Sequence, residues 1–344
     1  MNIREQYMWR GIELALKGMG KVAPNPMVGA VLVCNDRIIG EGWHQAYGAA
    51  HAEVNCIASV RPEDRALIPE STMYVTLEPC AHFGKTPPCA DLIISNRIPE
   101  VVIGCKDTYS EVAGRGIQKL RDAGIKTETG LLEAECRWVN RRFFTFHEKK
   151  RPYVILKWAE SADGFIAPAG GTPLMLSNHL SQKLVHKMRR EEDSIMVGFN
   201  TAVTDNPRLS NRLWPGKDPV RIIWDNNASL PADLNLLDQT QPTIIFNYVR
   251  TEETGRNSWI KISRQEALPG ILDKLHQRAI SSLIVEGGTK TLQKFIDAGC
   301  WDEALVIKTR ANLQGGIKAP LLAGAKPVAC NQLATDQHTL YLHE

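Results

Sequence analysis

His51-Ala52-Glu53 precedes Glu78-Pro79-Cys80, and Cys89 follows after eight further residues, Ala81 to Pro88. One imidazole and two thiolates are soft donors that suit a tetrahedral zinc whose fourth position stays open to water. Bound zinc lowers the pKa of that water to about 7, so hydroxide is on hand at neutral pH. Glu53, with one residue between it and His51, can shuttle protons without binding the metal. Taken singly, these residues have plainer readings as buried cysteines and a core histidine. Taken together they describe a metal-assisted hydrolysis, provided the chain brings them to one place.

The elements needed for that are legible. His51 and Glu53 open a helix from about 51 to 60, and T-M-Y-V-T-L at 72–77 is a strand that runs into Glu78-Pro79-Cys80. Pro79 cannot donate a ladder hydrogen bond and suits a strand end. Cys89 follows Pro87-Pro88, and proline is tolerated in the first turn of a helix. Two helix starts and one strand end can therefore converge on a single ion. H-x-E followed by a proline-preceded pair of cysteines is also the pattern of zinc nucleobase deaminases, with the glutamate as general acid and base. Here the spacing between the cysteines is longer.

The long insert narrows the resemblance. T-L-E-P-C-A-H-F-G-K-T-P-P-C at 76–89, P-N-P-M-V-G-A-V-L-V at 24–33 and G-W-H-x-x-x-G-x-x-H-A-E at 42–53 resemble the deaminase half of the bifunctional riboflavin-biosynthesis deaminase/reductases. The resemblance covers nearly all of residues 1–147. It implies deamination of a diaminopyrimidinone ribosyl phosphate, with Zn²⁺ on His51, Cys80 and Cys89 and Glu53 as the proton shuttle. Asn25, His44, His82, Lys85 and Thr86 would surround the substrate. Lys85 and His82 sit in a glycine-containing loop where a cation can meet a phosphate. Asn25 offers both an amide donor and an acceptor to a pyrimidinone edge.

A second domain is expected over 152–344. P-Y-V-I-L-K-W-A-E-S-A-D-G at 152–164, S-I-M-V-G-F-N-T-A-V-T-D-N-P-R-L at 194–209 and S-L-I-V-E-G-G-T-K-T-L at 282–292 resemble the reductase half of the same proteins, whose fold is similar to dihydrofolate reductase. The resemblance implies NADPH-dependent reduction of the ribosyl group to a ribityl chain. Thr201 and Asp205 match cofactor contacts, and Lys157, Asp163, Arg189, Leu209, Arg212 and Glu286 match a substrate pocket. Independently, Gly287-Gly288 after an apolar strand opens a helix whose free N–H groups can hold a cofactor phosphate. No G-x-G-x-x-G is present, so a Rossmann domain is not indicated. Met175-Leu176-Ser177 stands where the family has Trp-Ile-Thr, and Glu160 stands where it has a small residue. A carboxylate facing the phosphates would repel them.

The wider chain fits this reading. Its 344 residues suit two domains, with a charged boundary, His147-Glu148-Lys149-Lys150-Arg151-Pro152. The first domain, 1–147, reads as α/β: a hairpin 28–33/37–43 through Asn35-Asp36, strands at 72–77, 100–104 and 125–128, intervening helices, a C-cap at Gly124 and one last helix over 132–147. We expect a three-layer, cytidine-deaminase-like domain with a largely parallel sheet, followed by a dihydrofolate-reductase-like one. A net charge of +3 gives no footprint for nucleic acid. No apolar run reaches the ~18 residues of a membrane span. The N-terminus lacks a signal peptide's apolar core, so a cytoplasmic protein with reduced thiols is expected. Cys34, Cys56, Cys105, Cys136, Cys300 and Cys330 then read as core residues. The partners expected are a phosphorylated pyrimidine and a second copy of the chain, through 132–147 or the strand 339–342. The competing reading is a monofunctional zinc deaminase, acting on a pyrimidine or an RNA base, with a degenerate second domain.

Overall fold

The computed structural model describes residues 2–81, 83, 87–108, 114–170 and 173–343. The chain forms two compact units, Met1–Lys150 and Arg151–Glu344.

In the first unit a capping box between Asn2 and Glu5 starts α1, Ile3–Leu16. The strands β1, Gly29–Cys34, and β2, Arg37–Trp43, form a hairpin. Asn35 and Asp36 both take positive φ, as a two-residue hairpin turn requires. Then come α2, Ala52–Ala58; β3, Thr72–Leu77; α3, Cys89–Ser95; β4, Glu100–Cys105; α4, Arg115–Asp122; and β5, Lys126–Thr129. The sheet order is β2-β1-β3-β4-β5. Only β3-β4-β5 run parallel, because β1 is antiparallel to both of its neighbours. The sheet is thus more mixed than the helix–strand alternation suggests.

Along β1 every residue is buried, since helices cover both faces. Ala30, Leu32 and Cys34 point to a core shared with Cys56, Ile93 and Leu120. Val31 and Val33 point to a second core with Met8, Ile12, Cys136 and Phe144. On the first face α2 lies hard against β2, and a Cβ on Gly42 would collide with the Cys56 backbone nitrogen. That close approach sets the height of His51 and Glu53 above the sheet.

The helix expected over 132–147 is two helices, α5, Glu133–Val139, and α6, Arg141–Glu148. Asn140 breaks it. Its side chain accepts from the Met27 N–H and donates to the Met27 carbonyl, both at 2.8 Å. Gly124, at φ +79°, ends α4 as expected. Cys34, Cys56, Cys105 and Cys136 are buried, but Cys300 is half-buried and Cys330 exposed on an edge strand.

The second unit contains β6, Tyr153–Glu160; β7, Phe165–Ala167; α7, His179–Glu191; β8, Ser194–Gly198; α8, Phe199–Asp205; β9, Val220–Trp224; β10, Thr243–Asn247; β11, Glu252–Thr254; β12, Asn257–Lys261; α9, Ala267–Gln277; β13, Ser282–Val285; α10, Thr289–Asp297; β14, Glu303–Lys308; β15, Ile317–Lys318; β16, Pro327–Leu333; and β17, Asp336–Leu342. Strands β7 and β15 pair by themselves. The main sheet runs β11-β12-β10-β9-β8-β13-β6-β14-β17-β16 and is parallel from β12 to β14. From β8 the chain crosses through α8 to β9, and from β13 it crosses through α10 to β14 on the other side. These helices pack on opposite faces, with Ala202 in one core and Leu292 and Phe295 in another. The switch in winding direction opens a crevice at the carboxyl ends of β8 and β13, the usual ligand position in such sheets.

Glu78, just past β3, anchors the first unit. It is buried, and its carboxylate accepts backbone N–H bonds from Gly114 at 3.0 Å and Gly116 at 2.9 Å, with longer ones from Asp107 and Ile117 at 3.3 Å. A carboxylate at a helix N-terminus is favourable by charge as well as by hydrogen bonding. Glu78→Ala is expected to orphan several buried donors and cost about 1–3 kcal/mol. Thermal unfolding should show a midpoint lowered by several degrees. An unchanged midpoint would contradict the anchoring role.

Candidate functional site

The first unit brings His51, Cys80 and Cys89 together, their donor atoms all within 4.8 Å of one another. His51 is the N-cap of α2, Cys80 follows the end of β3, and Cys89 is the first residue of α3. His51 Nδ1 lies 3.6 Å from Cys80 Sγ and 3.3 Å from Cys89 Sγ. Donors on a tetrahedral zinc with bonds of about 2.0–2.1 Å to nitrogen and about 2.3 Å to sulfur stand about 3.6 Å apart. The three residues therefore fit zinc in donor type and in spacing. The Cys89 N–H donates to Cys80 Sγ at 3.3 Å, which ties the strand end to the helix start.

Electrostatics at this cluster favour a thiolate. Its hydrogen bond with Cys89 draws the Cys80 thiol down, burial opposes this, and His51 adds to it. The same bond pushes the Cys89 thiol up. The pair thus shares a proton that metal binding would release. Glu53 is 3% exposed. Burial pushes its carboxyl up to about 7, and Cys80 pushes the same way.

Asn25 and His44 stand beside the cluster. The His44 ring meets the His51 ring edge-on at 5.5 Å. His44 Nδ1 lies 3.0 Å from the Ala50 carbonyl, and Nε2 lies 3.1 Å from Asn25 Nδ2. Burial lowers the His44 pKa. Its neutral form donates from Nδ1 and accepts the Asn25 amide at Nε2, which fixes the direction of that amide. His82, Lys85 and Thr86 lie outside the described residues. Glu78 was not marked by any spacing rule, although an acid ending an apolar strand is unusual.

The second unit holds a cavity of about 630 Å³ at the carboxyl ends of its parallel strands. Its charged end gathers Lys157, His186, Arg189, Arg212 and Glu286. Arg189 grips Glu286 through two bonds, at 3.2 and 2.8 Å, and Lys157 Nζ stands 3.7 Å from the same carboxylate. Burial alone would raise the Glu286 pKa, but Arg189 and Lys157 hold it at about 2. Burial lowers the Lys157 pKa, against the pull of Glu286. His186 Nδ1 accepts the Arg212 N–H at 3.1 Å. Burial, with Arg189 and Arg212 adding, depresses the His186 pKa to about 4. Nothing in the sequence pattern singled out His186.

At the middle of the cavity Thr201 Oγ1 accepts the Gly288 N–H at 3.0 Å, joining α8 to the start of α10. A Cβ on Gly198 would collide with Thr291 Oγ1, and one on Gly287 would lie 2.8 Å from Thr291 Cβ. Only glycine lets the two strand ends and α10 approach this closely. The helix start, with Thr201 beside it, is suited to an anion such as a dinucleotide phosphate, and Asp205 lines the same cavity as a hydrogen-bond acceptor. Met175 is 66% exposed and lines the wall of this cavity.

Two of the expected pocket residues are placed elsewhere. The Asp163 carboxylate accepts from Ser161 Oγ at 2.6 Å and from the Leu313 and Gln314 N–H groups at 3.1 and 2.8 Å, organising a turn. Leu209 is buried in the core with Val197 and Ile223. Neither lines the cavity. Nor does Glu160, whose carboxylate accepts the Trp158 indole N–H at 2.9 Å. The carboxylate expected to face the cofactor phosphates is thus held outside the cavity lining, by a tryptophan two residues away on the same strand.

Comparison with known proteins agrees with both halves. A family model described as "Cytidine and deoxycytidylate deaminase zinc-binding region" matches residues 1–105, and "RibD C-terminal domain" matches residues 152–339. The "Riboflavin biosynthesis protein RibD" of Aquifex aeolicus is 38% identical over 310 residues, covering 88% of this chain and 86% of its relative. That of Bacillus amyloliquefaciens is 39% identical over 330 residues, covering 93% and 88%. A crystal structure from Thermotoga maritima, described as a diaminohydroxyphosphoribosylaminopyrimidine deaminase/5-amino-6-(5-phosphoribosylamino)uracil reductase, superposes with a TM-score of 0.91 at 36% identity, covering 99% of each chain.

The buried imidazole has a pH signature. His186 titrates at about 4 when folded, against an ordinary value of 6.5, so between these values the unfolded chain binds more protons. Its contribution to stability is full above about 6.5 and is lost as pH falls toward 4. The unfolding midpoint should fall across that window, and His186→Gln should make the fall shallower. Identical profiles would contradict a neutral buried imidazole.

Proposed function

The chain belongs to the family of riboflavin biosynthesis protein RibD, deaminase/reductases that use zinc and NADPH, and from that membership we propose how its residues divide the two reactions. Residues 1–147 carry the deamination and residues 152–344 the reduction. The substrate proposed is the diaminopyrimidinone ribosyl phosphate, and its deaminated product is what the second unit reduces. The observation that carries the first assignment is the meeting of His51, Cys80 and Cys89 beside a buried Glu53.

In the first reaction His51, Cys80 and Cys89 would hold zinc, which when bound supplies Lewis acidity to a water. Glu53 takes a proton at its carboxylate and delivers it to the departing ammonia. A carboxyl near neutrality suits both transfers. Asn25, its amide fixed by His44, reads the pyrimidinone edge. His82, Lys85 and Thr86, which lie outside the described residues, are proposed as substrate contacts by the family resemblance alone.

In the second reaction NADPH supplies the hydride, with its phosphates at Gly287, Gly288 and Thr201 and with Asp205 accepting from a ribose hydroxyl of the cofactor. Arg212, exposed at the charged end of the cavity, attracts the substrate's phosphate, and Arg189 holds Glu286 in the substrate pocket. Glu286, held at about 2, stays anionic and is a poor proton donor. Lys157 is the better one, because its ammonium has a proton to give and lines the cavity beside Glu286. A degenerate second unit is not favoured, since this buried charged cluster is intact and Glu160 is engaged by Trp158. A reducing, cytoplasmic setting suits the free ligand thiols.

Glu53→Gln should retain zinc and the reductase reaction while ammonia release falls about 10²–10⁴-fold. Near wild-type ammonia release would remove Glu53 from the mechanism. Loss of zinc together with activity would instead make Glu53 part of the metal site.

A further inference from the structure

The loop that carries Arg212 to the reductase cavity is held through its backbone. Leu209 takes φ +52°, a left-handed conformation that a residue with a side chain keeps only where its surroundings impose it. Its side chain is buried with Val197 and Ile223. Each of the next three residues is tied by a main-chain group. The Ser210 carbonyl accepts from Arg189 Nη1 at 3.2 Å, the Asn211 N–H donates to the Asp218 carboxylate, and the Arg212 N–H donates to His186 Nδ1 at 3.1 Å. Arg212 is itself exposed, and it lines the cavity beside His186 and Arg189.

His186 and Arg189 are one turn apart on α7 and so share a face. Arg189 is committed to Glu286 as well as to Ser210. His186 is 3% exposed, and its Nδ1 can accept a hydrogen bond only while the ring is neutral, with the proton on Nε2. The surroundings keep it neutral. Burial opposes protonation first, then Arg189 on the same helix, Arg212 on the loop and Lys157 on β6, while Glu286 after β13 favours it. A protonated ring would set one donor against another, and the Arg212 N–H would lose its acceptor.

We propose that His186 is a positioning residue for the reductase substrate: its Nδ1 fixes the main chain at Arg212 and so aims that guanidinium at the substrate's phosphate, while the ring takes no part in hydride or proton transfer. The proposal rests on the reading that Arg212 receives that phosphate.

The test compares the full-length wild type with His186→Ala and His186→Asn under saturating NADPH. The reductase substrates are the deaminated ribosyl phosphate and the same compound without its phosphate. His186→Ala removes the acceptor, and His186→Asn returns an oxygen near the place of Nδ1. In His186→Ala the KM for the phosphorylated substrate should rise about 3- to 10-fold, the scale of one lost hydrogen bond. Its kcat should change by less than about twofold, as loss of ground-state binding implies. Its kcat/KM for the unphosphorylated compound should match that of the wild type, and His186→Asn should recover most of the lost KM. NADPH affinity, followed by nucleotide fluorescence without substrate, should hold in both variants and so show the unit folded. A fall in kcat with KM held would make His186 a proton-transfer group, and equal losses with both substrates would make it a structural residue; either overturns the proposal, as does an unchanged KM in His186→Ala. A wild-type protein with no preference for the phosphorylated substrate would instead overturn the placement of the phosphate at Arg212, and the proposal with it.

Discussion

Three backbone ends have to meet for the first site to exist: the N-cap of α2, the turn after β3 and the first residue of α3. None of them alone can hold a metal, and each is positioned by something that touches no ligand. Contact of α2 with Gly42 sets the height of His51 and Glu53. Glu78 gathers the N–H groups that start α4 and so fixes the strand end from which Cys80 departs. The Cys89 N–H then closes onto Cys80 Sγ. The result is two thiols and an imidazole at the spacing of a tetrahedral ion, with a buried acid beside them.

The second unit solves a similar problem at larger scale. Its crossovers run in opposite directions from β8 and β13, so helices start on both faces and leave a crevice between strand ends. Charge separates the crevice into zones. One end is a compensated cluster in which Arg189, Lys157 and Glu286 satisfy one another. Arg221 lies outside the crevice: fully buried, it is consumed by Asp238, Thr243 and backbone carbonyls and has no group left for a ligand.

Much of this was legible in the sequence because it is local. The strands at 28–33, 37–43 and 72–77, the hairpin turn at Asn35-Asp36 and the Gly124 cap follow from periodicity and from residues with few conformational options. The metal-ligand spacing and the Gly-Gly helix start are likewise local. The break at Asn140 was not legible, because its cause is a pairing with the Met27 backbone, 113 residues away. The antiparallel placement of β1 beside β3 is also a tertiary outcome. Asp163 and Leu209 fit a motif, yet their side chains serve a turn and a core. The anchoring of Glu160 needed only Trp158, two positions away. Alternation along a strand does put residues 158 and 160 on one face, so that pairing was within reach.

The convergence of one nitrogen and two sulfurs on a single zinc is what the deaminase account stands on. X-ray absorption at the zinc edge, on the full-length protein loaded with one equivalent of metal, reads it directly. Two sulfur neighbours at about 2.3 Å and light neighbours at about 2.0–2.1 Å are expected, with the sulfur count dropping to one in Cys80→Ser if that variant still retains zinc. A zinc shell with no sulfur, or with the same two sulfurs after Cys80→Ser, would contradict the assignment.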